Sequence, residues 1–308
     1  MRPLMATFGL CSLLVMTGCS SNVNFLRGSS DKGIPPDRPP TAQDLVTYLN
    51  QSSQRIRSLR CDDVDIEAAQ GHQPIAGIRG KMACEQPRDF RMSAMMMGKH
   101  ELDVGSNDRE FWFWAAKMDP PGQYYCSYND LRTKQVPLPF PCQPEWAMET
   151  MGMATYPTDG RYQVVDKRDT VELIQETTSL QGQPVRKVVV FNRNRMANGH
   201  QIREFAVRDM QGKELCSAKV QAVQQIGNTT VPYKLQLEWP KEKLKLSLQF
   251  NKPSLNQITP EMAQNLFARQ PIQGIRSFDL ASGARPAGNP GQLQQAGGIP
   301  QDGRVSQR

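Results

Sequence analysis

Histidine is scarce in this chain, and no run of basic residues stands out. The 308 residues include three histidines, and none has the spacing of a metal site or a catalytic triad. Neither Cys-x-x-Cys nor Gly-x-Ser-x-Gly occurs, which argues against zinc ribbons and α/β-hydrolase active sites. We therefore expect a protein that is not an enzyme and that binds no metal or cofactor.

The net charge is modest, at +7. Basic residues alternate with apolar ones, which is typical of a solvated outer face, and a weak attraction to anionic lipid head groups is the other interpretation. Nothing in this pattern indicates a nucleic-acid partner.

Long apolar runs are missing as well. The mostly apolar, uncharged segment 4–15 is shorter than the roughly 20 residues that a transmembrane helix needs. A basic Arg2 precedes it and small residues follow it, which is the layout of a secretory signal with its cleavage site. We expect residues 1–18 to be a signal peptide, and a plain secretory signal without a lipid stays open as an alternative.

The four residues Met16-Thr17-Gly18-Cys19 resemble the lipobox of bacterial lipoproteins, with Met where Leu is usual. The resemblance implies that Cys19 is acylated, for example with palmitate, and becomes the new N-terminus. Several acyl chains give stable anchoring to a membrane. Ser20 stands where Asp would signal retention at the inner membrane, so the implied location is the outer membrane, facing the periplasm.

Five further cysteines would then lie in an oxidising compartment, which permits disulfides. Cys126 and Cys142 flank a proline-rich loop, and a bridge there would stabilise the fold by about 3 kcal/mol. Cys61 would face Cys84 on a neighbouring strand if the intervening turn centres near residues 71–74. Cys216 lies on the apolar face of a predicted strand and is interpreted as a buried thiol.

Composition divides the rest of the chain into three parts. Residues 19–40 are rich in Ser, Asn, Gly and Pro and predict a flexible linker. Residues 41–270 carry the apolar patterns of a folded domain. Residues 271–308 are dominated by Gly, Pro, Gln and Ala, which cannot bury a core and predict a disordered tail.

Three helices are predicted within the domain. Thr41 can cap the first, with Asp44 completing a capping box, and an apolar stripe follows. The second covers 144–153. The third begins at Thr259 and Pro260, a strong start signal, and runs through Phe267.

Period-two alternation of apolar and polar residues occupies most of 58–250, which is typical of antiparallel strands with one buried face. Turn pairs such as Gln211-Gly212 and Gly227-Asn228 separate the segments. About eleven strands are predicted: 58–69, 75–86, 89–97, 109–117, 122–128, 162–176, 185–194, 201–209, 215–225, 231–239 and 243–250. The fold class is α+β and mainly antiparallel β.

Two segments resemble the LolA/LolB family of lipoprotein carriers and receptors. The segment 80–92 is similar to the family's strand that ends in a basic-Pro step before x-x-Phe-Arg. The segment 106–114 is similar to its hairpin and aromatic strand, with Asn107-Asp108 where Asp-Gly is usual and Trp114 where Tyr is usual. The resemblance covers roughly 41–270. It implies a curved, incomplete β-barrel covered by helices, with a cavity that holds acyl chains and a lipid or acylated lipoprotein as partner.

Six apolar residues are the candidates for the lining of this cavity: Met92, Met96, Leu235, Leu237, Leu246 and Leu248. Methionine is flexible and polarizable, which suits a pocket of variable content. A packed core under the helices explains the same residues equally well. In that case the domain would be a ligand-free interaction or sensor module for other envelope proteins, similar to RseB-like domains.

One strand is aromatic on both faces. Trp112 and Trp114 share one face, and Phe111 and Phe113 share the other. This pattern predicts a strand that is covered on both sides, and core packing explains it better than ligand contact.

Overall fold

A computed structural model describes Ile34 and residues 38–71, 73–118, 120–134, 136, 144–179, 182–194 and 200–282. The predicted signal peptide and Cys19 lie outside these residues. Within the described part, no helix is both long enough and apolar enough to cross a membrane.

The described residues form four α-helices and a short 3₁₀ helix. Their bounds are α1 (Ala42–Ser53), α2 (Tyr128–Thr133), α3 (Pro144–Thr150), α4 (Pro260–Leu266) and the 3₁₀ helix Leu280–Ser282. The predicted capping box is confirmed, because Thr41 Oγ1 accepts from the Asp44 N–H while Asp44 accepts from the Thr41 N–H. The cap at Thr259 with Pro260 in the first turn is also confirmed.

The strands are β1 (Ser58–Gln70), β2 (Gln73–Glu85), β3 (Asp89–Met96), β4 (Lys99–Ser106), β5 (Glu110–Ala115), β6 (Gln123–Ser127), β7 (Gln163–Asp166), β8 (Thr170–Thr178), β9 (Pro184–Asn192), β10 (Ile202–Arg208), β11 (Glu214–Ile226), β12 (Thr229–Trp239), β13 (Leu244–Asn251), β14 (Ser254–Leu255) and β15 (Ser277–Asp279). They form one curved, unclosed sheet in the order β15-β6-β5-β4-β3-β2-β1-β13-β12-β11-β10-β9-β8-β7, with β14 paired to β1. Every pairing is antiparallel except β15 with β6.

The mainly antiparallel fold is confirmed, but the strand count of about eleven was too low. The predicted strand 162–176 is interrupted after Asp166 and forms β7 and β8. β4 was not predicted, and β14 and β15 are only two and three residues long, which is too short for an alternating pattern to show.

The main core lies on one face of the sheet, here called the inner face. Leu45, Val46 and Leu49 of α1 and Trp146 and Met148 of α3 pack there. Burying such side chains contributes about 1.5–3 kcal/mol each. The two helices therefore fix which face of each strand is inner and which is outer.

Ile34 belongs to this core, although it lies within the predicted linker 19–40. Its side chain is buried, and its N–H donates to Gln201 Oε1 at 2.9 Å. Ile34 is therefore part of the folded domain, which composition did not indicate. The other residues of 19–37 lie outside the described part.

The C-terminal segment crosses the outer face of the sheet and continues beyond the predicted boundary at 270. Phe267 packs near Ala83 of β2, and Arg91 of β3 donates to the carbonyls of Leu266 and Ala268 at 3.2 and 3.4 Å. The segment then adds β15 beside β6. Residues 271–282 of the predicted tail therefore belong to the fold, and residues 283–308 lie outside the described part.

The predicted register between β1 and β2 was wrong. Cys84 pairs with Leu59, and Cys61 pairs with Met82. The turn is tighter than assumed, because Gln70 already pairs with Gln73. A shift of the turn centre by one residue moves every partner by two.

Candidate functional site

The inner face is not covered evenly along its strands. The helices and Ile34 bury its central part, whereas apolar residues toward the β3–β4 turn stay partly accessible. We call these residues the apolar rim, and they come from β2, β3, β4 and β13: Ile78, Met96, Leu102, Leu244 and Leu246. The rim continues the buried core outward, since four of its members pack against that core.

The structure divides the six predicted lining residues into two groups. Met92, Leu235, Leu237 and Leu248 are buried within the main core, as the alternative interpretation of a packed core expects. Leu246 is half-buried, and Met96 is 41% exposed. Alternation identified the correct face, but it could not show how far the helices extend over it.

Pairing in the sheet makes the rim contiguous. Arg79 pairs with Met95, so the next residues toward the turn, Ile78 and Met96, lie side by side on the inner face. Ile78 in turn pairs with Ile66 of the core. Ile78, Leu102 and Leu244 were missed as site residues. Ile78 and Leu244 lie within the predicted strands 75–86 and 243–250, whereas Leu102 lies in β4, which was not predicted.

The β3–β4 hairpin presents apolar side chains to solvent. Met95 is 45% exposed, and Met97 at the turn is 97% exposed. Met97 and Gly98 both have positive φ, which a two-residue hairpin turn requires. Among the methionines 95–97, Met96 is the one that lies on the inner face beside the rim, where a flexible thioether side chain suits contact with apolar ligands of variable shape.

Helix α3 spans the inner face and is held at both ends by ion pairs. Arg88, in the turn before β3, lies with Nε 2.7 Å from Glu145 Oε1. Lys187 of β9 lies with Nζ 2.8 Å from Glu149 Oε2. Between them, the Trp146 ring meets the Trp239 ring edge to face at 6.2 Å. The helix thus forms a cover over the inner face that joins two distant parts of the sheet.

Glu149 is a buried charge with two partners. Tyr156 donates to its Oε1 at 2.5 Å, and Lys187 donates to its Oε2. Burial and the nearby carboxylate raise the pKa of Tyr156 well above its usual value, so its hydroxyl keeps its proton and remains a donor. Both carboxylate oxygens of Glu149 thus have a hydrogen-bond donor, and these bonds hold α3 against the sheet.

The cysteines do not form the predicted bridge between Cys61 and Cys84. Both are buried free thiols, and burial raises the pKa of Cys84 to about 12. Cys126 is also buried, and its predicted partner Cys142 lies outside the described residues, so that pair stays a prediction. Cys216 is buried as expected. Neutral, buried thiols of this kind are poorly reactive.

The aromatic strand β5 is covered on both sides, as predicted. Trp112 is buried on the outer face, where its Nε1 donates to Asp103 Oδ2 at 3.2 Å. Phe111 and Phe113 belong to a second core that includes residues of α2 and the 3₁₀ helix. These aromatic residues are structural. Among the described residues, no group of three or more His, Cys, Asp or Glu is arranged to hold a metal ion.

No family model and no curated protein matches the sequence of this chain. Solved structures do resemble its fold. A putative outer membrane lipoprotein-sorting protein domain from Vibrio parahaemolyticus superposes with a TM-score of 0.51 at 8% identity, over 74% of this chain and 100% of that one.

Two further structures give lower scores. A LolA superfamily protein from Nitrosomonas europaea has a TM-score of 0.47 at 12% identity, covering 75% of this chain and 99% of its own. A DUF1329 family protein from Desulfovibrio piger has a TM-score of 0.48 at 10% identity, covering 74% and 98%. The likeness to the Vibrio parahaemolyticus domain agrees with the curved, incomplete β-structure that the sequence resemblance implied. At these identities the likeness concerns the fold alone.

Proposed function

We propose that this protein is a membrane-anchored envelope lipoprotein that binds a lipid or the acyl chains of a lipoprotein on the inner face of its half-barrel. The observation that carries this proposal is the apolar rim. Soluble domains normally bury such a row of Ile, Leu and Met side chains, and an exposed apolar surface next to a core often marks a binding site. The rim offers an acyl chain an entrance to the inner face.

The proposed mechanism is differential burial. An acyl chain that leaves water for the inner face gains about 25 cal/mol per Å² of apolar surface removed from solvent. It would first contact Met96 and Leu246. It would reach the deeper residues Met92, Leu235, Leu237 and Leu248 only when the α3 cover shifts, and unbranched Met side chains repack readily.

The anchor and the location form the second part of the proposal. The lipobox-like Met16–Cys19 supports acylation at Cys19, and Ser20 supports the outer membrane. The Vibrio parahaemolyticus domain that shares the fold is described as a putative outer membrane lipoprotein-sorting protein, and by analogy we propose a role in lipoprotein sorting for this chain.

A second candidate function is an interaction or sensor module for envelope proteins that holds no ligand. It is favoured by the burial of Met92, Leu235, Leu237 and Leu248 in the packed core. In this version, α3 is a permanent part of the core, and the exposed methionines contact protein instead of lipid.

Titration with a fluorescent fatty acid separates the two candidates. The full chain carrying Cys19→Ser has no acyl chains of its own that could occupy the site. We expect saturable binding that Met96→Gln weakens by about tenfold, since it removes one apolar contact of roughly 1.4 kcal/mol. Met97→Gln is the matched control and should change the affinity less than about twofold. Absence of saturable binding would leave the ligand-free module as the function.

Anchoring needs a separate measurement. Cells that express the wild-type chain should incorporate radiolabelled palmitate into it, and cells that express the Cys19→Ser chain should not. Equal labelling of both chains, or of neither, would refute the anchor without touching the proposal for the inner face.

A further inference from the structure

A polar groove of about 440 Å³ lies on the outer face of the sheet, away from the apolar rim. It crosses four neighbouring strands: β12, β13, β1 and β2. Six polar side chains line it: Asp65, Glu67, Arg79, Lys234, Ser247 and Gln249. Alternation along the strands places all six on the side opposite the core residues Ile66, Leu235 and Leu248.

Three of these six side chains, those of Asp65, Arg79 and Gln249, have polar partners. Asp65 accepts from Asn251 Nδ2 at 2.9 Å and lies 3.5 Å from Arg79 Nε. Gln249 donates to Asn251 at 3.3 Å. Within the part of the chain that the structure describes, Glu67 and Lys234 have neither a hydrogen bond nor an ion pair of their side chains. The groove therefore holds one carboxylate and one ammonium group that have no partner among the described residues.

The register fixes how these two charges are placed. Glu67 pairs with Ser247, and Lys234 pairs with Gln249. Glu67 on β1 and Lys234 on β12 therefore lie on the two sides of β13, at positions two residues apart along it. Two strand spacings across and two residues along place their Cα atoms about 12 Å apart. Their side chains can lean toward each other over Ser247 and Gln249, with space for a small molecule between them.

Gly77 keeps this groove open. It stands opposite Glu67 in the interior of β2, where glycine weakens a strand and often marks the close approach of a ligand. Gly80 in the same strand has a packing reason, since a Cβ there would lie 2.7 Å from both Ile66 Cδ1 and the Ser93 carbonyl. A Cβ on Gly77 would meet nothing within 4 Å, so packing within the described residues does not require glycine there.

We propose that this groove binds a phosphoethanolamine group, with the ammonium on Glu67 and the phosphate on Lys234. Phosphate accepts several hydrogen bonds at once, and β13 offers two further donors in the groove, the Gln249 amide opposite Lys234 and the Ser247 hydroxyl opposite Glu67. The carboxylate of Glu67 accepts from the ammonium. This site is on the outer face and does not depend on acyl binding by the inner face.

Calorimetric titration of the full chain in detergent with O-phosphoethanolamine tests the proposal. We expect saturable binding that is at least about tenfold tighter than that of ethanolamine or inorganic phosphate, because each half engages only one of the charges. Glu67→Gln and Lys234→Gln should each weaken binding by about tenfold. Gly77→Gln fills the groove and should abolish it. Lys245→Gln, on the same face but outside the groove, is the matched control.

Failure to bind, binding of inorganic phosphate as tight as that of the zwitterion, or wild-type affinity in a folded Gly77→Gln chain would overturn the proposal. Detergent micelles containing phosphatidylethanolamine identify the source of the group. If they compete with O-phosphoethanolamine, the ligand is a lipid head group, and if they do not, it is a free molecule. None of these results bears on fatty-acid binding, so the two proposals fail separately.

Discussion

Lys187 Nζ lies 2.8 Å from Glu149 Oε2 and so ties helix α3 to strand β9. The side chain of Glu149 is 5% exposed, which makes its charge costly unless a cation balances it. The opposite end of α3 is held by Arg88 and Glu145. The cover over the inner face is therefore fastened by charges, which can be removed one at a time.

Lys187→Met should loosen this cover. The substitution leaves Glu149 buried without its cation, and we expect the free energy of unfolding to fall by about 3 kcal/mol. Urea denaturation measures the change. The double variant Lys187→Met/Glu149→Gln removes the stranded charge and should recover part of the loss. A single variant as stable as the wild type would show that the pair does not hold α3.

The stability of the domain should depend on Asp89. Burial, followed by the charges of Glu85 and Asp108, raises the pKa of Asp89 from 3.8 to about 6. The folded state thus binds this proton more tightly than the unfolded state. The resulting stabilisation is complete below pH 4 and is lost as the pH rises through 6.

Asp89→Asn removes this dependence. Relative to the wild type, the variant should be more stable by about 1 kcal/mol at pH 7.5, after allowance for the partial exposure of the group. The difference should shrink steadily toward pH 4. Chemical denaturation at several pH values provides the test, and a difference that stays constant over this range would contradict the assignment.

Arg91 should hold the C-terminal segment 260–270 against the outer face of the sheet. Its Nε donates to Asp103 Oδ1 at 2.9 Å while Nη1 reaches the carbonyls of Leu266 and Ala268. In Arg91→Met, the buried Asp103 loses its cation, and we expect a loss of about 3 kcal/mol. Hydrogen exchange should become faster in 260–270. Arg79→Met removes an arginine side chain that is 79% exposed and should change the stability by less than about 0.5 kcal/mol. Equal effects of both variants would contradict the role of Arg91.

Gly105 should be intolerant of any side chain. An added Cβ would lie 2.3 Å from Trp112 Cζ2, so Gly105→Ala should cost about 1–3 kcal/mol through overpacking and alter the fluorescence of the indole. Gly77→Ala is the matched control, because its Cβ meets open space and should change stability by less than about 0.5 kcal/mol. Similar melting temperatures for the two variants would contradict this packing.

Local signals in the sequence predicted much of the fold. The caps at Thr41 and Thr259 identified helix starts because their hydrogen bonds lie within four residues. Alternation identified the inner face of β12 and β13 because the side-chain period of a strand is two. These effects require no knowledge of distant parts of the chain.

The features that could not be predicted from the sequence depend on contacts between residues that are far apart in the chain. Leu248 is buried and Leu246 only half-buried, although the two have the same place in the alternation of β13, because residues from distant parts of the chain cover the inner face. The path of 254–282 across β3 and β6 depends on the hydrogen bonds of Arg91 and on the pairing of β15 with Gln123–Tyr125. No periodic pattern in the sequence predicts these contacts. The register of β1 and β2 depended on a turn only one residue away from the assumed centre.

Photo-crosslinking tests the central claim most directly. The full Cys19→Ser chain would be loaded with a palmitate analogue that carries a diazirine at its methyl end, irradiated, digested and mapped by mass spectrometry. We expect adducts on the inner face, at Met96, Leu246 and neighbouring members of the apolar rim, and we expect unlabelled palmitate to abolish them by competition. Adducts confined to the outer face, or labelling that palmitate does not displace, would contradict it.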